Sequence, residues 1–343
     1  MTQKFTRLFT CLFIMSLTPS SLFATTADLQ FFGDTYVPAY VLKALDKETQ
    51  TPKNLIELAP LLESSRTNIV NFEGVASTSF FPYDMKRFFL KMPIRIGEYL
   101  ANNHIHVAGL ANNHLMDYGY MGMFDTLYSL KSAGILTYGA GENLDDASKP
   151  VFLDVSGRRV CLLAYSRTLP TSFWAGKNKP GTSSKSFTAT GEQVAACKKK
   201  SDFVAVSIHW GAESSRHVKK YQVKLAKLAI DKGADIVVGH HPHILQKLDF
   251  YKEKPIFYSI GNFSFGTAPS GSYPEGVALR IIFGSDGVGD KIEVTPIQVN
   301  NLLINFRLRP FQVPELSPLG ELVGKNKNCE LMSDGFSYRC GRG

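Results

Sequence analysis

The 343-residue sequence lacks the marks of several protein classes. It has no internal repeat and no long low-complexity tract, and its 44% hydrophobic and 20% charged residues are typical of a globular protein. None of its five cysteines shows the paired spacing of a zinc–thiolate site. Aromatic residues are plentiful but are not interleaved with Arg and Lys in any nucleic-acid-binding module, so no nucleic-acid partner is expected despite a pI of about 9.1.

The N-terminal residues are typical of a signal peptide. Lys4 and Arg7 form a basic segment, residues 8–17 form an apolar one, and small residues follow at Ala24 and Ala27. Cleavage is expected after one of these alanines, and we assign residues 1–24 to the signal. The apolar stretch is shorter than the roughly 20 residues of a membrane-spanning helix, so an uncleaved anchor is the less favoured alternative. We expect export to the periplasm or cell surface, with membrane tethering only if the signal stays uncleaved.

Export would place the remaining cysteines in an oxidising compartment. Cys329 and Cys340 lie in a polar tail, residues 301–343, where a disulfide would close a short loop, and we predict this bond. Cys161 lies in an apolar strand segment and is expected to be a buried thiol.

The net charge of +8 would fall by two with the loss of Lys4 and Arg7. A basic surface on an exported protein suits polyanions such as an envelope polymer. The scattered lysines also fit a merely solvated surface, which is the commoner explanation.

Strand-like segments alternate with helical ones over most of the chain, which predicts an α/β fold with a largely parallel sheet. From residue 256 onward the strands are predicted to be antiparallel. Polar residues closely follow five apolar strand segments: Asp34, Glu73, Asn113, His209 and His241. Because the carboxyl ends of parallel strands line up along one sheet edge, where ligands bind, these residues are expected to converge on one site.

Imidazole, amide and carboxylate groups without thiolate suit a divalent ion such as Mn, Zn or Fe. The segment Gly239-His240-His241-Pro242-His243 is the most specific local signal. On an extended segment, the side chains of His241 and His243 would point the same way. Taken singly, Asp34, Glu73 and Asn113 would be turn or strand-end residues, and only their joint placement indicates a metal.

Seven short motifs occur in order over residues 28–268 and together resemble the poly-γ-glutamate capsule-synthesis family of CapA type. They are Gly33-Asp34, Asn71-Phe72-Glu73, Ala111-Asn112-Asn113-His114 with Asp117 and Gly119, Gly139-Ala140-Gly141, His209-Trp210-Gly211 with Glu213, Gly239 with His241-Pro242-His243, and Tyr258 to Phe263. The resemblance implies a four-layer α/β/β/α sandwich with mixed sheets, of the calcineurin-like metallophosphoesterase type. We assign residues 25–300 to this domain.

The resemblance also implies roles for individual residues. Glu73 would bridge two ions, Asn113, His209 and His241 would complete one site, and Asp34 and His243 would belong to the other. His114 would stabilise charge or protonate the leaving group, Asp117 would orient it, and Glu213 would contact an imidazole.

The sequence departs from the phosphoesterase pattern in two places. Tyr36 stands where those enzymes have a ligand His, and Glu73 stands where they have a bridging Asp. One metal site is therefore predicted to be complete and the other one ligand short, so that one or two ions would bind.

Two functions are compatible with these residues. The first is a metal-dependent hydrolase in the synthesis of a capsule or related envelope polymer, acting on a phosphoester or an amide. The second is a non-catalytic component of capsule export or anchoring that binds polymer. The expected partners are an anionic envelope polymer or phosphoester substrate and a capsule-synthesis membrane complex.

Overall fold

The computed structural model describes residues 28–48, 58, 60–63, 66–83, 86–266, 275–284, 290–299, 309–310, 329–334 and 337–340. The predicted signal peptide and most of the predicted tail lie outside these ranges, and the boundaries at residues 24 and 300 stay predictions. Within these ranges, no helix is both long and apolar enough to cross a membrane.

Helices and strands alternate through the first two thirds of the described chain. The α-helices are α1 (Ala39–Glu48), α2 (Ile96–Asn102), α3 (Gly119–Ser132), α4 (Leu144–Ala147), α5 (Phe187–Lys198) and α6 (Lys220–Asp231). The strands are β1 (Asp28–Tyr36), β2 (Arg66–Phe72), β3 (Val75–Ala76), β4 (Lys91–Met92), β5 (Ile105–Gly109), β6 (Leu136–Tyr138), β7 (Ala140–Gly141), β8 (Val151–Val155), β9 (Arg158–Ser166), β10 (Gly181–Thr182), β11 (Phe203–His209), β12 (Ile236–His240), β13 (Leu248–Tyr251), β14 (Lys254–Phe257), β15 (Asn262–Phe265), β16 (Glu275–Ile282), β17 (Lys291–Gln298), β18 (Arg309–Pro310), β19 (Cys329–Leu331) and β20 (Tyr338–Cys340).

Two mixed sheets form the body of the molecule. The larger has the order β19-β20-β17-β16-β1-β2-β5-β6, with β15 beside β1 and β18 beside β17; the smaller has the order β13-β14-β12-β11-β9-β8. In the larger sheet β1, β2, β5 and β6 run parallel, and the strands on the other side of β1, from β16 to β19, pair antiparallel. In the smaller sheet the four inner strands are parallel and the two outer strands are antiparallel to them. The antiparallel prediction holds for β16 and β17. It is wrong in part for β14, which pairs parallel with β12 and antiparallel with β13, and it is wrong for β15, which pairs parallel with β1.

The sheets pack face to face, with helices on both outer faces. Alternate residues of β1 show this: Phe31 joins the core between the sheets, whereas Phe32 joins the core beneath α2 and α3. On the smaller sheet, residues such as Val206 pack against Leu225 of α6. Because both faces of the central strands are buried, these strands read as nearly continuous apolar runs. The result is the predicted four-layer α/β/β/α arrangement.

Two pairs of cysteines are joined in the structure. Cys329 and Cys340 form the predicted pair, with sulfurs 2.05 Å apart, and their strands β19 and β20 extend the larger sheet beside β17 rather than forming a separate tail. Cys161 is buried as expected, but it is paired with Cys197 of α5, so the prediction of a free thiol there was wrong.

Candidate metal centre

The structure brings all six predicted ligands together, at the carboxyl ends of strands from both sheets. Asp34 lies near the end of β1, Glu73 directly after β2 and Asn113 in the loop after β5, all in the larger sheet. His209 ends β11, and His241 and His243 follow β12, in the smaller sheet. The ligands therefore converge where two sheet edges meet, and not at the single edge that the sequence suggested.

These residues form two overlapping groups that share Glu73. One group is Glu73, His209 and His241, and the other is Asp34, Glu73 and His243; within each, one ligand atom per residue lies within 4.8 Å of the others. Oε1 of Glu73 is 3.5 Å from Nε2 of His209 and 3.7 Å from Nε2 of His243. Asn113 adds its side-chain oxygen to the first group, 2.7 Å from Nε2 of His209.

Two asparagines hold the ligands in position. The side-chain amide of Asn71 donates to Oδ1 of Asp34 at 2.7 Å and lies 3.3 Å from Nδ1 of His209. The side-chain oxygen Oδ1 of Asn262 is 3.0 Å from Nδ1 of His243. Such contacts fix the orientation of an imidazole that binds metal through its other nitrogen. The sequence motifs contained both asparagines, but no role had been predicted for them.

The histidine segment after β12 is not extended, contrary to prediction. His241 and His243 have φ angles of 95° and 59°, in the left-handed region that side chains other than Gly rarely adopt. Each such residue costs about 1–3 kcal/mol, and such strain is concentrated at functional sites. The turn sends the two imidazoles to different ligand groups, with ring centroids 6.2 Å apart. The backbone N–H of His241 donates to Oδ2 of Asp34 at 3.1 Å, which ties the turn to β1.

The charges in the group of Glu73, His209 and His241 are suited to binding a cation. Both carboxylate oxygens of Glu73 are buried without a hydrogen-bond partner, and burial raises the pKa of Glu73 to about 7. Burial also lowers the pKa of His209 and of His241 well below the usual value, so both imidazoles are neutral. A buried carboxylate without a partner is costly, and neutral imidazoles are the form that binds metal. The donor set therefore suits a divalent ion.

In the second group, the charges of Asp34, Glu73 and His243 compensate one another more fully. Burial lowers the pKa of His243, but Glu73, Asp34 and Asn262 raise it to about 10. Burial raises the pKa of Asp34, but the nearby imidazoles of His240 and His243 hold it well below its usual value. His243 is thus a protonated partner for the two carboxylates. His240 is a buried neighbour that the sequence analysis did not select, with Nδ1 3.5 Å from Oδ1 of Asp34.

His114 and Asp117 lie beside the ligands, as predicted, and contact each other. Nδ1 of His114 donates to Oδ2 of Asp117 at 2.7 Å, while Nε2 lies 3.9 Å from Oε1 of Glu73. Lys86, which the sequence analysis missed, donates to Oδ1 of Asp117 at 2.5 Å and to the backbone oxygen of Asn113 at 2.7 Å. Burial lowers the pKa of Lys86, against the effect of Asp117. Lys86 comes from a loop without periodicity, so no pattern could have indicated it.

A cleft of about 520 Å³ opens onto the centre. Its lining includes Asn113 and His241 of the metal centre, together with Arg167, Trp174 and Glu213. Glu213 is exposed, and among the described residues it makes no hydrogen bond or ion pair with an imidazole. The structure thus gives Glu213 a place on the cleft wall and not the predicted contact.

The profile of the family described as bacterial capsule synthesis protein PGA_cap matches residues 28–267, which contain every residue of this centre. The chain belongs to this family. It is 43% identical to the capsule biosynthesis protein CapA of Bacillus anthracis over 163 residues, which cover 46% of this chain and 40% of the relative. It is 32% identical to the PGA biosynthesis protein CapA of Bacillus subtilis over 273 residues, which cover 79% of this chain and 71% of the relative. The first of these matches thus spans less than half of the relative's length.

Among solved structures, the chain resembles a Staphylococcus aureus protein assigned as a 5′-nucleotidase, crystallised with alpha-ketoglutarate. The TM-score is 0.50 at 14% identity, covering 82% of this chain and 54% of that chain. At this identity the likeness concerns the fold alone. It agrees with the predicted four-layer sandwich of mixed sheets.

Proposed function

We propose that this member of the capsule synthesis family is an exported, metal-dependent hydrolase that acts on a phosphoester or an amide of poly-γ-glutamate or a related envelope polymer. The observation that carries the proposal is the pair of ligand groups sharing Glu73 at a cleft, with His114 beside them. The names of the two Bacillus relatives support the polymer. The signal-like N-terminus supports work in the periplasm or at the cell surface, beside a capsule-synthesis membrane complex.

The residues divide the chemistry between them. Glu73, Asn113, His209 and His241 would hold one Mn, Zn or Fe ion, and Asp34, Glu73 and His243 would hold a second. A divalent ion bound there supplies a Lewis acid and lowers the pKa of water.

Hydrolysis needs a proton at the leaving atom, and His114 would supply it. In the reaction, water would lose a proton and its oxygen would bond to phosphorus or to the carbonyl carbon. The bond to the leaving oxygen or nitrogen would break, and that atom would take up a proton. Nε2 of His114 faces the ligand cluster, and Nδ1 is held by Asp117, which fixes the ring. Lys86 neutralises Asp117 and so keeps this carboxylate in place.

Metal content tests the site directly. Elemental analysis of the purified mature chain should find a bound divalent metal that is lost from His241→Ala. His217→Ala is the matched control, because His217 is exposed and outside both ligand groups. Equal metal content in all three proteins would refute the assignment of the site.

Activity tests the reaction. The metal-loaded chain should hydrolyse either bis(p-nitrophenyl) phosphate or a γ-glutamyl oligomer, and His114→Ala should lose this hydrolysis while keeping its metal. A protein that binds metal but hydrolyses neither substrate would favour the second candidate, a non-catalytic polymer-binding component of capsule export or anchoring. The observation that favours this candidate is Tyr36, which leaves the Asp34 group without the ligand expected at that position.

A further inference from the structure

Arg167 is a cation held rigidly beside the metal centre. It directly follows β9, and its backbone N–H donates to the backbone oxygen of His209 at 2.8 Å. Nη1 of its guanidinium donates to the backbone oxygen of Lys185 at 2.8 Å. The guanidinium also lies 5.9 Å from the ring centroid of Trp174 and 5.2 Å from that of Phe187, which are cation–π distances. The backbone and side chain of Arg167 are therefore both positioned before any ligand binds.

This guanidinium has no counter-charge in the described part of the chain. No Asp or Glu pairs with Arg167, whereas the comparably buried Arg280 pairs with both Asp28 and Glu293. Burial lowers the pKa of Arg167, although the group remains charged. An uncompensated cation that is half-buried is costly unless an anion completes it. Of its five N–H donors, only one has a described protein acceptor.

The residues around Arg167 indicate that this anion would be a ligand bound in the cleft. Arg167 lines the same cleft as Asn113 and His241, and the cleft also contains Lys219, a second cation. The only carboxylate on the described cleft wall is Glu213, which is exposed and does not reach Arg167. Trp174 is itself fixed, because its Nε1–H donates to the backbone oxygen of Thr168 at 3.0 Å.

We propose that Arg167 binds an oxyanion of the substrate, a carboxylate or a phosphate, and so selects substrates that carry a negative charge beside the bond that reacts. A planar guanidinium with free donors recognises two oxygens of such a group at once. The inference rests on the proposed function in taking the cleft as the substrate cleft, but binding requires no turnover. Arg167 is thus a specificity residue and not part of the metal centre.

Isothermal titration of the mature chain tests this role, with metal loaded and after chelation. The probes are tri-γ-glutamate, the same oligomer with its α-carboxylates amidated, and inorganic phosphate. Arg167→Met should weaken binding of at least one anionic probe by roughly 10- to 100-fold, because a charge-assisted hydrogen bond is lost. Arg167→Lys should recover part of the affinity but not the two-point contact, and the amidated oligomer should bind both proteins equally weakly.

Arg159→Met is the matched control, since Arg159 also stacks on an aromatic ring but lies at the opposite end of β9. It should leave every dissociation constant within about twofold of the parent value, because it touches no part of the cleft. Loss confined to the oligomer identifies a carboxylate, and loss confined to phosphate identifies a phosphate. Unchanged binding of both anions by Arg167→Met and Arg167→Lys, or no binding by the parent chain, would overturn the proposal.

The outcomes separate this inference from the proposed function. Arg167-dependent binding by a chain that takes up no divalent metal even when metal is supplied would support the anion site and contradict the metal-dependent hydrolase. Hydrolysis by a metal-loaded chain whose anion binding does not depend on Arg167 would support the hydrolase and contradict the anion site. Metal content and circular dichroism of Arg167→Lys, which keeps the charge, show whether an effect arises from misfolding.

Discussion

The two ligand groups share Glu73 but satisfy their charges in different ways. In the group with His209 and His241 the imidazoles are neutral, and Nδ1 of His241 has no partner. In the group with Asp34, the protonated His243 lies 3.2 Å from Oδ2 of Asp34 and accounts for much of the negative charge. A cation entering the first group meets unpartnered atoms, whereas one entering the second must replace contacts that already exist.

The two groups also differ in the number of side chains that could bind an ion. Asn113 brings a fourth side chain to the first group, while Tyr36 stands at the position expected to bring one to the second. The fold thus presents two ligand groups on either side of a single carboxylate, one with four side chains and the other with three. We therefore expect the first group to bind an ion tightly and the second to bind one weakly.

The largest effect is expected from Glu73→Gln, which changes the residue common to both groups. Metal affinity should fall more than about 100-fold at both sites, because loss of a ligand costs more than loss of an outer contact. Elemental analysis after dialysis checks this. The metal-free variant should also unfold at a higher temperature than the metal-free parent, because a neutral amide replaces a buried carboxylate that has no hydrogen bond. Retention of one tightly bound ion would contradict the sharing of Glu73.

His241→Ala and His243→Ala each remove a ligand from one of the two groups. His241→Ala should abolish tight binding, whereas His243→Ala should keep about one tightly bound ion per chain, because only the weak group loses a ligand. Titration of the metal-free proteins with Mn²⁺ or Zn²⁺ measures both sites. The same loss in both variants would show that the two groups do not act separately.

The outer contacts give a smaller effect. Asn71→Ala should lower the affinity of the tight site by about 10- to 100-fold, since Asn71 contacts both Asp34 and His209. Asn262→Ala is the counterpart on the weak side, because Asn262 contacts His243. It should change the affinity of the tight site by less than about threefold, as the altered contact lies outside that group. If both variants lowered the metal affinity of the tight site equally, the two groups would not bind metal separately.

Much of this centre could be predicted from sequence because its ligands follow apolar strands. Asp34 lies near the end of a buried strand, Glu73 directly follows one and His209 ends one. The carboxyl ends of parallel strands meet at an edge whatever the loops between them do. The alternation of strands and helices could not show that these strands belong to two sheets. It gives the order of the strands along the chain but not which strands pair with each other.

The residues that prediction missed depend on long-range geometry. Asn262 reaches the site because β15 pairs with β1 in a register that sets it opposite Asp34. Lys86 reaches Asp117 from an irregular loop. The left-handed turn at His241 and His243 redirects two imidazoles that an extended segment would have placed together. The Cys161–Cys197 pair likewise joins β9 to α5 across 36 positions of sequence.

The smallest effect is expected from a variant that adds a ligand to the weak group instead of removing one. Tyr36 lies two positions after Asp34 at the end of β1, and its ring is 5.5 Å from the ring of Phe265. His243 packs on the same Phe265 ring at 4.6 Å, so position 36 lies on the side of the weak group. Tyr36→His would place an imidazole there.

We expect Tyr36→His to raise the affinity of the weak site by about tenfold and to leave the tight site unchanged, because one more neutral imidazole joins the group of three. Metal titration measures both constants in one experiment. Tyr36→Phe is the control, since it keeps the ring against Phe265 and adds no ligand. If Tyr36→His and Tyr36→Phe bind the second ion equally, the weakness of that site arises from the contacts between His243 and the carboxylates and not from a missing ligand.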